Sequence, residues 1–298
     1  MTGSAEDSIH AVLDRACRQA GLDAVGATLV RHGENTIYRL PGGIIARVTR
    51  PGQVQAAARE VGIARWLEAS GVPAVQVVPD VTQPIEVEGR AVTLWRELPP
   101  HTHGTAVQVA TALRRLHDLP MPTDIDIRPL DPFVRLADRI DRARTLPESD
   151  RDWMRDHLKH LMERYGNLPA GRPACVVHGD AWVGNVVSTA DGHIVLLDLE
   201  RCSIGPPEWD LVSTAVKAFT LGGIPVEDYR AFVDVYGYDV TTWEGYETLR
   251  DIREFRMTCM AAQVAAENPA RHDELVRRLA SIRGDRGSRP WFDWRPVP

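Results

Sequence analysis

The feature that most constrains the fold of this chain is a loop of fixed spacing between two short apolar segments. Residues 178–185 read His-Gly-Asp-Ala-Trp-Val-Gly-Asn, and Asp198 follows thirteen residues after Asn185. The apolar runs that precede the two acidic positions predict short strands at 175–177 and 193–197. We expect this pair of strands to interrupt a stretch of chain that is otherwise helical.

Hydrophobic periodicity divides the remainder of the chain into two parts. Short runs rich in Val, Ile and Thr predict strands at 24–30, 36–40 and 43–49 and between 75 and 95. Apolar residues at helical spacing predict helices at 8–20, 53–69, around 109–116, at 150–165 and over much of 211–282. We therefore predict an α+β, bilobal chain with a small antiparallel β-rich N-lobe (1–98) and a larger, mainly helical C-lobe (99–298).

Composition and charge exclude several classes of protein. The 298 residues carry a net charge of -6, which is the wrong sign for a protein that neutralises a nucleic-acid backbone. The first ten residues do not show the basic region and apolar core that a signal peptide would have, and no apolar run is long enough to cross a bilayer. The four cysteines form no CxxC pair, so they predict reduced core thiols. We expect a cytoplasmic monomer or homodimer that binds neither nucleic acid nor membrane.

Several familiar catalytic motifs are missing from the sequence. It contains no GxGxxG dinucleotide loop, no Walker A loop, no GxSxG nucleophile elbow and no HExxH zinc motif.

The spacing of Asp180, Asn185 and Asp198 matches kinase-type phosphoryl transfer. In that chemistry one Asp accepts the proton of the attacking hydroxyl, an Asn five residues later binds a metal, and an Asp after the next strand bridges metal and phosphates. Carboxylate and amide oxygens are the ligands that Mg²⁺ prefers. The spacing therefore predicts Asp180 as the catalytic base, with Asn185 and Asp198 as Mg²⁺ ligands.

On these residues the chain resembles the aminoglycoside phosphotransferase family, a branch of the protein-kinase-like fold. Residues 33–40, Gly-Glu-Asn-Thr-Ile-Tyr-Arg-Leu, resemble the loop with which this family covers its nucleotide. Residues 205–211 resemble the segment after its metal-binding Asp. The resemblance implies an ATP- or GTP-dependent kinase that phosphorylates a hydroxyl of a small molecule.

The resemblance also implies further nucleotide-binding residues. Arg47 lies where the family presents a lysine to the phosphates, and Glu60 on the next helix is expected to pair with it. An arginine keeps the charge but has a longer, forked head group, so its contact geometry must differ. The remaining residues implied to bind nucleotide are Gly33 and Asn35 in the covering loop and Arg96, Glu97 and Leu98 in the interlobe hinge.

The segment after Asp198 indicates a small acceptor. Only nine residues separate Asp198 from Glu208, which leaves little platform for a peptide, and Gly179 replaces the arginine of phosphorylation-regulated kinases. We expect an amine-bearing or sugar-like acceptor, such as an aminoglycoside, whose phosphorylation would give antibiotic resistance. The alternatives are a housekeeping or biosynthetic kinase for a small alcohol or amino sugar, a nucleotide-binding pseudokinase scaffold, and an acid hydrolase that uses His178 and Asp180.

Other conspicuous residues have simpler interpretations. We expect His178 to orient the loop through backbone hydrogen bonds rather than to take part in chemistry. Trp182 and Trp209 either flank the acceptor or belong to the core. The aromatic tail at 290–294 is expected to pack on the helical lobe.

Overall fold

The computed structural model describes residues 3–33 and 35–296 of the chain. Within these ranges the strands are β1 (Thr28–His32), β2 (Thr36–Leu40), β3 (Ile44–Val48), β4 (Ile85–Val87), β5 (Arg90–Arg96), β6 (His101–His103), β7 (Cys175–Val177), β8 (Val186–Thr189), β9 (Ile194–Leu196) and β10 (Ser203–Gly205). The helices are α1 (Gly3–Gln19), α2 (Val54–Ala69), α3 (Ala106–His117), α4 (Leu136–Arg142), α5 (Glu148–Gly166), α6 (Glu208–Phe219), α7 (Val226–Tyr236), α8 (Tyr246–Glu267) and α9 (His272–Arg283). An antiparallel sheet dominates the N-terminal region and helices dominate the C-terminal region, so the predicted α+β class is confirmed.

The contacts between residues divide the chain into two compact units. The first unit comprises Met1–Gln108, Asp118–Arg128 and Val183–Cys202, and the second comprises Val109–His117, Pro129–Trp182 and Ser203–Pro298. Each unit therefore combines segments that are distant in the sequence, whereas a single boundary after residue 98 is predicted from the sequence.

The first unit contains a five-stranded antiparallel sheet in the order β1-β2-β3-β5-β4. Helix α1 packs on this sheet, and its buried residues Ile9, Val12, Leu13, Ala16 and Cys17 share a core with Tyr38, Leu40, Ala46, Val48, Val92 and Leu94 of the strands. Strand β1 spans Thr28–His32 rather than the predicted 24–30. All five residues of β1 are exposed. The strand therefore lacks the alternation of buried apolar and exposed polar residues from which its first and last residues could be predicted.

A second, three-stranded sheet of the first unit has the order β6-β8-β9 and is antiparallel. The strands expected at 175–177 and 193–197 exist as β7 and β9, but they do not pair with each other. Strand β9 pairs with β8, and β7 pairs with β10 in the second unit. The expectation of only two strands in the C-terminal region is therefore wrong, because each of them pairs with a further short strand, and β6 pairs with β8.

The second unit is mainly helical and is centred on α8, which contacts α4, α5, α6 and α9. Buried residues recur all round α8, as expected for a helix enclosed by others. The C-terminal tail packs on this unit: Trp291 and Trp294 are buried, and the backbone N–H of Trp291 donates to the carbonyl of Thr220. The packing predicted for this tail is therefore confirmed.

The four cysteines are buried thiols, and none of them forms a disulfide in the described part of the chain. Among residues 3–33 and 35–296, no helix combines the length and apolar character needed to span a membrane.

Candidate active site

In the first unit, Arg47 lies at the centre of the five-stranded sheet. It is on β3, opposite Ile37 of β2 and Thr93 of β5. Its guanidinium forms an ion pair with Glu60 of α2, and the side chains of the two residues are only 16% and 5% exposed. The guanidinium carbon also lies 5.6 Å from the ring centroid of Trp95. The Arg47–Glu60 pair that the resemblance implies is thus present and largely removed from water.

Burial and nearby carboxylates change the pKa of Arg47 in opposite directions. Burial lowers the pKa of its guanidinium, while the carboxylates of Glu200 and Asp198 oppose that change. The Nε of Arg47 is buried and has no hydrogen-bond partner among the described residues. A buried donor without an acceptor is unfavourable, so this position suits an anionic oxygen such as that of a phosphate.

The two candidate metal ligands lie at the open ends of one hairpin. Asn185 immediately precedes β8, and Asp198 follows β9 after one residue. The backbone N–H of Leu197 donates to the carbonyl of Asn185 at 2.8 Å, which extends the pairing of Val186 with Leu196. Antiparallel pairing therefore fixes the backbones of the two candidate ligands relative to each other.

Asp198 adopts a left-handed backbone conformation with φ of +54°. Such a conformation is unfavourable for a residue other than glycine and is often retained at functional sites. A 3-10 turn, Leu199–Arg201, follows at once and packs against α2, the helix that carries Glu60. This turn accounts for the influence of both Asp198 and Glu200 on Arg47.

The donor set at this hairpin fits a hard divalent cation. It offers a carboxylate from Asp198 and an amide oxygen from Asn185. Within the described ranges, no three His, Cys, Asp or Glu side chains cluster to form a metal cage. Mg²⁺ commonly takes one or two carboxylates from a protein and completes its shell with phosphate oxygens and water.

In the second unit, Asp210 holds the backbone of the loop that contains Asp180. Its fully buried carboxylate accepts hydrogen bonds from the backbone N–H groups of His178, at 2.6 Å, and Gly179, at 2.9 Å. Burial alone would raise the pKa of Asp210, but a hydrogen bond with His117 at 3.1 Å and nearby positive charges hold it below its usual value. The loop is therefore anchored to an ionised carboxylate of α6.

A second set of contacts also holds Gly179. The indole N–H of Trp209 donates to the carbonyl of Gly179 at 3.1 Å. The guanidinium of Arg253 lies 3.8 Å from the ring centroid of Trp209 and donates to the carbonyl of Trp209 at 2.7 Å. Gly179 has a φ of +84°, which a side chain would disfavour. The backbone of this loop therefore requires glycine at position 179.

Asp180 itself is partly buried, and its backbone N–H lies 3.3 Å from Nδ1 of His178. His178 is fully buried, and its backbone N–H donates to the carboxylate of Asp210. These contacts agree with the structural role expected for His178. Trp209 is part of the core, whereas the side chain of Trp182 is exposed.

The remaining predicted nucleotide-binding residues lie in two connecting segments of the first unit. Arg96 ends β5, and the N–H of Glu97 donates to the carbonyl of Gly43 at 2.8 Å, which ties this segment to β3. Leu98 follows on the way to β6. Gly33 and Asn35 lie between β1 and β2, and Glu34 between them is outside the described residues.

Sequence reasoning missed three residues around these sites. Glu200 was visible only as part of the segment after Asp198, and its effect on Arg47 depends on the 3-10 turn. Asp210 lies in the segment at 205–211, but its hydrogen bonds reach residues about thirty positions away, so no local pattern in the sequence predicts them. Lys217 is conspicuous as one of only two lysines in the chain, but its position beside Trp182 leaves no local signal in the sequence.

A family model described as the phosphotransferase enzyme family matches residues 27–252. No curated protein matches the chain.

Solved structures with similar folds include several small-molecule kinases. The amicoumacin kinase hAmiN, in complex with AMP-PNP, Ca²⁺ and Ami, has a TM-score of 0.71 and 15% identity, with 99% of each chain covered. The aminoglycoside phosphotransferase APH(3'')-Id from Streptomyces rimosus has a TM-score of 0.59 and 21% identity, over 83% of this chain and 97% of that chain. A choline/ethanolamine kinase family protein from Mesorhizobium loti has a TM-score of 0.58 and 17% identity, over 94% and 96% of the two chains. At these identities the likeness establishes the kinase-like fold.

Proposed function

Because the chain belongs to the phosphotransferase enzyme family, whose members act on hydroxyl acceptors, we propose that it transfers the γ-phosphoryl group of ATP or GTP to a hydroxyl of a small amine-bearing or sugar-like molecule. The observation that carries the proposal is the largely buried side chain of Arg47, paired with Glu60 and influenced by Asp198. Its unpartnered Nε is a donor that a nucleotide phosphate would satisfy.

Asn185 and Asp198 would hold Mg²⁺, since both offer hard oxygen atoms at the ends of one hairpin. When bound, the cation supplies positive charge to the phosphate oxygens during transfer. Arg47 neutralises further phosphate charge, and Glu60 keeps its guanidinium in place.

Asp180 would orient the acceptor hydroxyl and accept its proton. The acceptor oxygen forms a new bond to the γ-phosphorus as the bond from that phosphorus to the β–γ bridging oxygen breaks. The products are a phosphate ester and a nucleoside diphosphate. In this scheme the protein contributes positioning and charge neutralisation rather than a nucleophile of its own.

Structures of similar fold support the choice of co-substrate and acceptor. They include complexes with AMP-PNP and with GDP, so both ATP and GTP belong in the test. Their names include kinases of aminoglycosides, amicoumacin and choline. The choline kinases favour a second candidate of the same class, a metabolic kinase for a small amino alcohol.

The decisive experiment is Mg²⁺-dependent consumption of ATP and GTP against a panel of aminoglycosides, other hydroxylated antibiotics, amino sugars and amino alcohols. We expect an acceptor whose mass increases by one phosphoryl group, and a fall in turnover of about 10²- to 10⁴-fold in Asp180→Asn. Unchanged turnover in Asp180→Asn would contradict the assigned base. Mg²⁺-dependent nucleotide binding without transfer to any acceptor would favour the pseudokinase scaffold.

A further inference from the structure

Lys217 is an unusual cation in this chain. The sequence has only two lysines, Lys159 and Lys217, and every other basic side chain apart from the histidines is an arginine. Lys159 is exposed on α5 and pairs with Asp156, as a solvated surface residue does. Lys217 lies instead in the last turn of α6, whose first turn contains Asp210, the anchor of the loop with Asp180.

The ammonium of Lys217 is held against the loop that contains the candidate base. Its Nζ lies 4.3 Å from the ring centroid of Trp182, two residues after Asp180. Among the described residues it forms no ion pair. Burial lowers the pKa of Lys217 to about 8, although the negative charge of Asp180 acts in the opposite direction.

This environment leaves the charge of Lys217 only partly compensated. A desolvated ammonium is favourable when an anion or several acceptor oxygens surround it. The face of Trp182 offers a cation–π contact but no hydrogen-bond acceptor, so the N–H donors of the ammonium remain available to a ligand. Trp182 is also exposed, so a small molecule can reach this position.

We propose that Lys217, supported by Trp182, forms a subsite for an oxyanion beside the hydroxyl that Asp180 activates. This inference rests on the proposed kinase function and specifies the chemistry of its acceptor side. The oxyanion is either a carboxylate or phosphate of the acceptor itself or the phosphoryl group during its transfer. In both cases an ammonium group directly next to the reacting hydroxyl is disfavoured, so an amine of the acceptor lies farther away.

The presence of only two lysines allows a direct test by NMR. Protein labelled with ¹³C at the lysine ε-carbon gives two lysine signals, which Lys159→Arg assigns. We expect inorganic phosphate, acetate or Mg²⁺ with AMP-PNP to shift the Lys217 signal and raise its pKa, since an anion stabilises the ammonium. Lys159 should not respond and serves as an internal control. A Lys217 signal that none of these probes changes would overturn the proposal.

Kinetics of Lys217→Met with the acceptor from the panel distinguish the two sources of the oxyanion. If the acceptor supplies it, KM for the acceptor rises by about 10- to 100-fold while kcat changes little. If the transferred phosphoryl group supplies it, kcat falls by a similar factor while KM changes little. Lys217→Arg should restore part of the loss, because it keeps the charge but changes its shape. Wild-type kinetics in Lys217→Met would contradict the proposal.

The NMR measurement separates this inference from the proposed function. Phosphorylation of a panel compound with no response of Lys217 would reject the oxyanion subsite and leave the kinase intact. A response of Lys217 to phosphate without phosphorylation of any acceptor would support the subsite and count against the proposed function.

Discussion

Arg47 keeps its charge in a place from which water is largely removed, and this makes its partner Glu60 important for folding. A guanidinium retains its proton under ordinary conditions, so it cannot avoid the unfavourable effect of burial by becoming neutral. Glu60 provides a direct ion pair, and Asp198 and Glu200 add attraction from a greater distance. Loss of one partner would leave a buried charge incompletely compensated.

We therefore predict that Glu60→Gln lowers the free energy of unfolding by about 1–3 kcal/mol. It should also weaken Mg²⁺-dependent nucleotide binding, because Arg47 loses the contact that orients it. Chemical denaturation and titration with AMP-PNP measure the two effects. Glu68→Gln, on the exposed side of the same helix, is the matched control and should change neither. Equal behaviour of the two variants would contradict the role given to Glu60.

The lowered pKa of Lys217 leads to a second prediction, which concerns how the free energy of unfolding changes with pH. In the unfolded chain this lysine keeps its proton up to about pH 10.5, whereas the folded protein releases it near pH 8. Between these values the unfolded state binds more protons, so the free energy of unfolding increases with pH across this window. The unfavourable burial of the ammonium is fully present below pH 8.

Lys217→Met should accordingly be more stable than the wild type at pH 7, by about 1–3 kcal/mol, and the difference should shrink as the pH approaches 10. Guanidinium unfolding at a series of pH values measures it, with Lys159→Met as the control for an exposed lysine. Stabilisation by loss of a functional charge is a common result at active sites. A difference between variant and wild type that does not depend on pH would show that Lys217 is not desolvated.

The β6-β8-β9 sheet positions the two candidate metal ligands. Gly104, directly after β6, donates its N–H to the carbonyl of Val186 at 2.8 Å, next to Asn185. A Cβ atom at position 104 would lie 2.5 Å from the same carbonyl oxygen, which is backbone and cannot move independently. Glycine at this position thus allows the close approach of β6 and β8.

Gly104→Ala should displace β8, lower the free energy of unfolding by about 1–3 kcal/mol and weaken the binding of Mg²⁺ with nucleotide. Thermal unfolding and nucleotide titration test this expectation. Gly166→Ala at the end of α5 is a suitable control, because a Cβ atom there meets nothing within 4 Å. Normal metal-dependent binding in Gly104→Ala would show that the hairpin does not position the ligands.

The same elements show which parts of the fold could be predicted from the sequence. Helices α2 and α5 agree with their predicted ranges within about two residues, since their apolar residues recur at helical spacing. Strands β6, β8 and β10 have three or four residues each, too few for a periodic pattern, and partners distant in sequence define them. Arg47 and Glu60 could be paired through the family resemblance, but the anchoring of residues 178 and 179 by Asp210 depends on a non-local contact.

The four buried thiols are divided between the two units, so their reactivity can report on each unit separately. Cys17 and Cys202 belong to the first unit, and Cys175 and Cys259 belong to the second. Burial raises the pKa of Cys17 to about 11 and that of Cys259 to about 12, which further slows their alkylation. Alkylation of these thiols therefore requires local or global opening.

We predict that none of the four thiols reacts readily in the native protein at pH 7.5. In mild denaturant, Mg²⁺ with AMP-PNP should slow the alkylation of Cys17 and Cys202 more than that of Cys175 and Cys259. The reason is that a ligand stabilises the region that binds it, by about 2.7 kcal/mol at a hundredfold excess over Kd. Mass spectrometry of the alkylated peptides gives the four rates. Stronger protection of the second pair would contradict the assignment of nucleotide binding to the first unit.

The scarcity of lysine also determines how the protein can be attached to other materials. Amine-reactive dyes, crosslinkers and resins have only two side chains to modify, and a bulky reagent has ready access to the exposed Lys159 but not to the half-buried Lys217. Small amine-reactive dyes would also label Lys217, because its lowered pKa leaves more of its amine unprotonated near pH 8, whereas bulky crosslinkers and resins would couple mainly through Lys159 on α5. A sensor surface coupled through a bulky lysine-reactive resin would therefore hold the molecule mainly by α5.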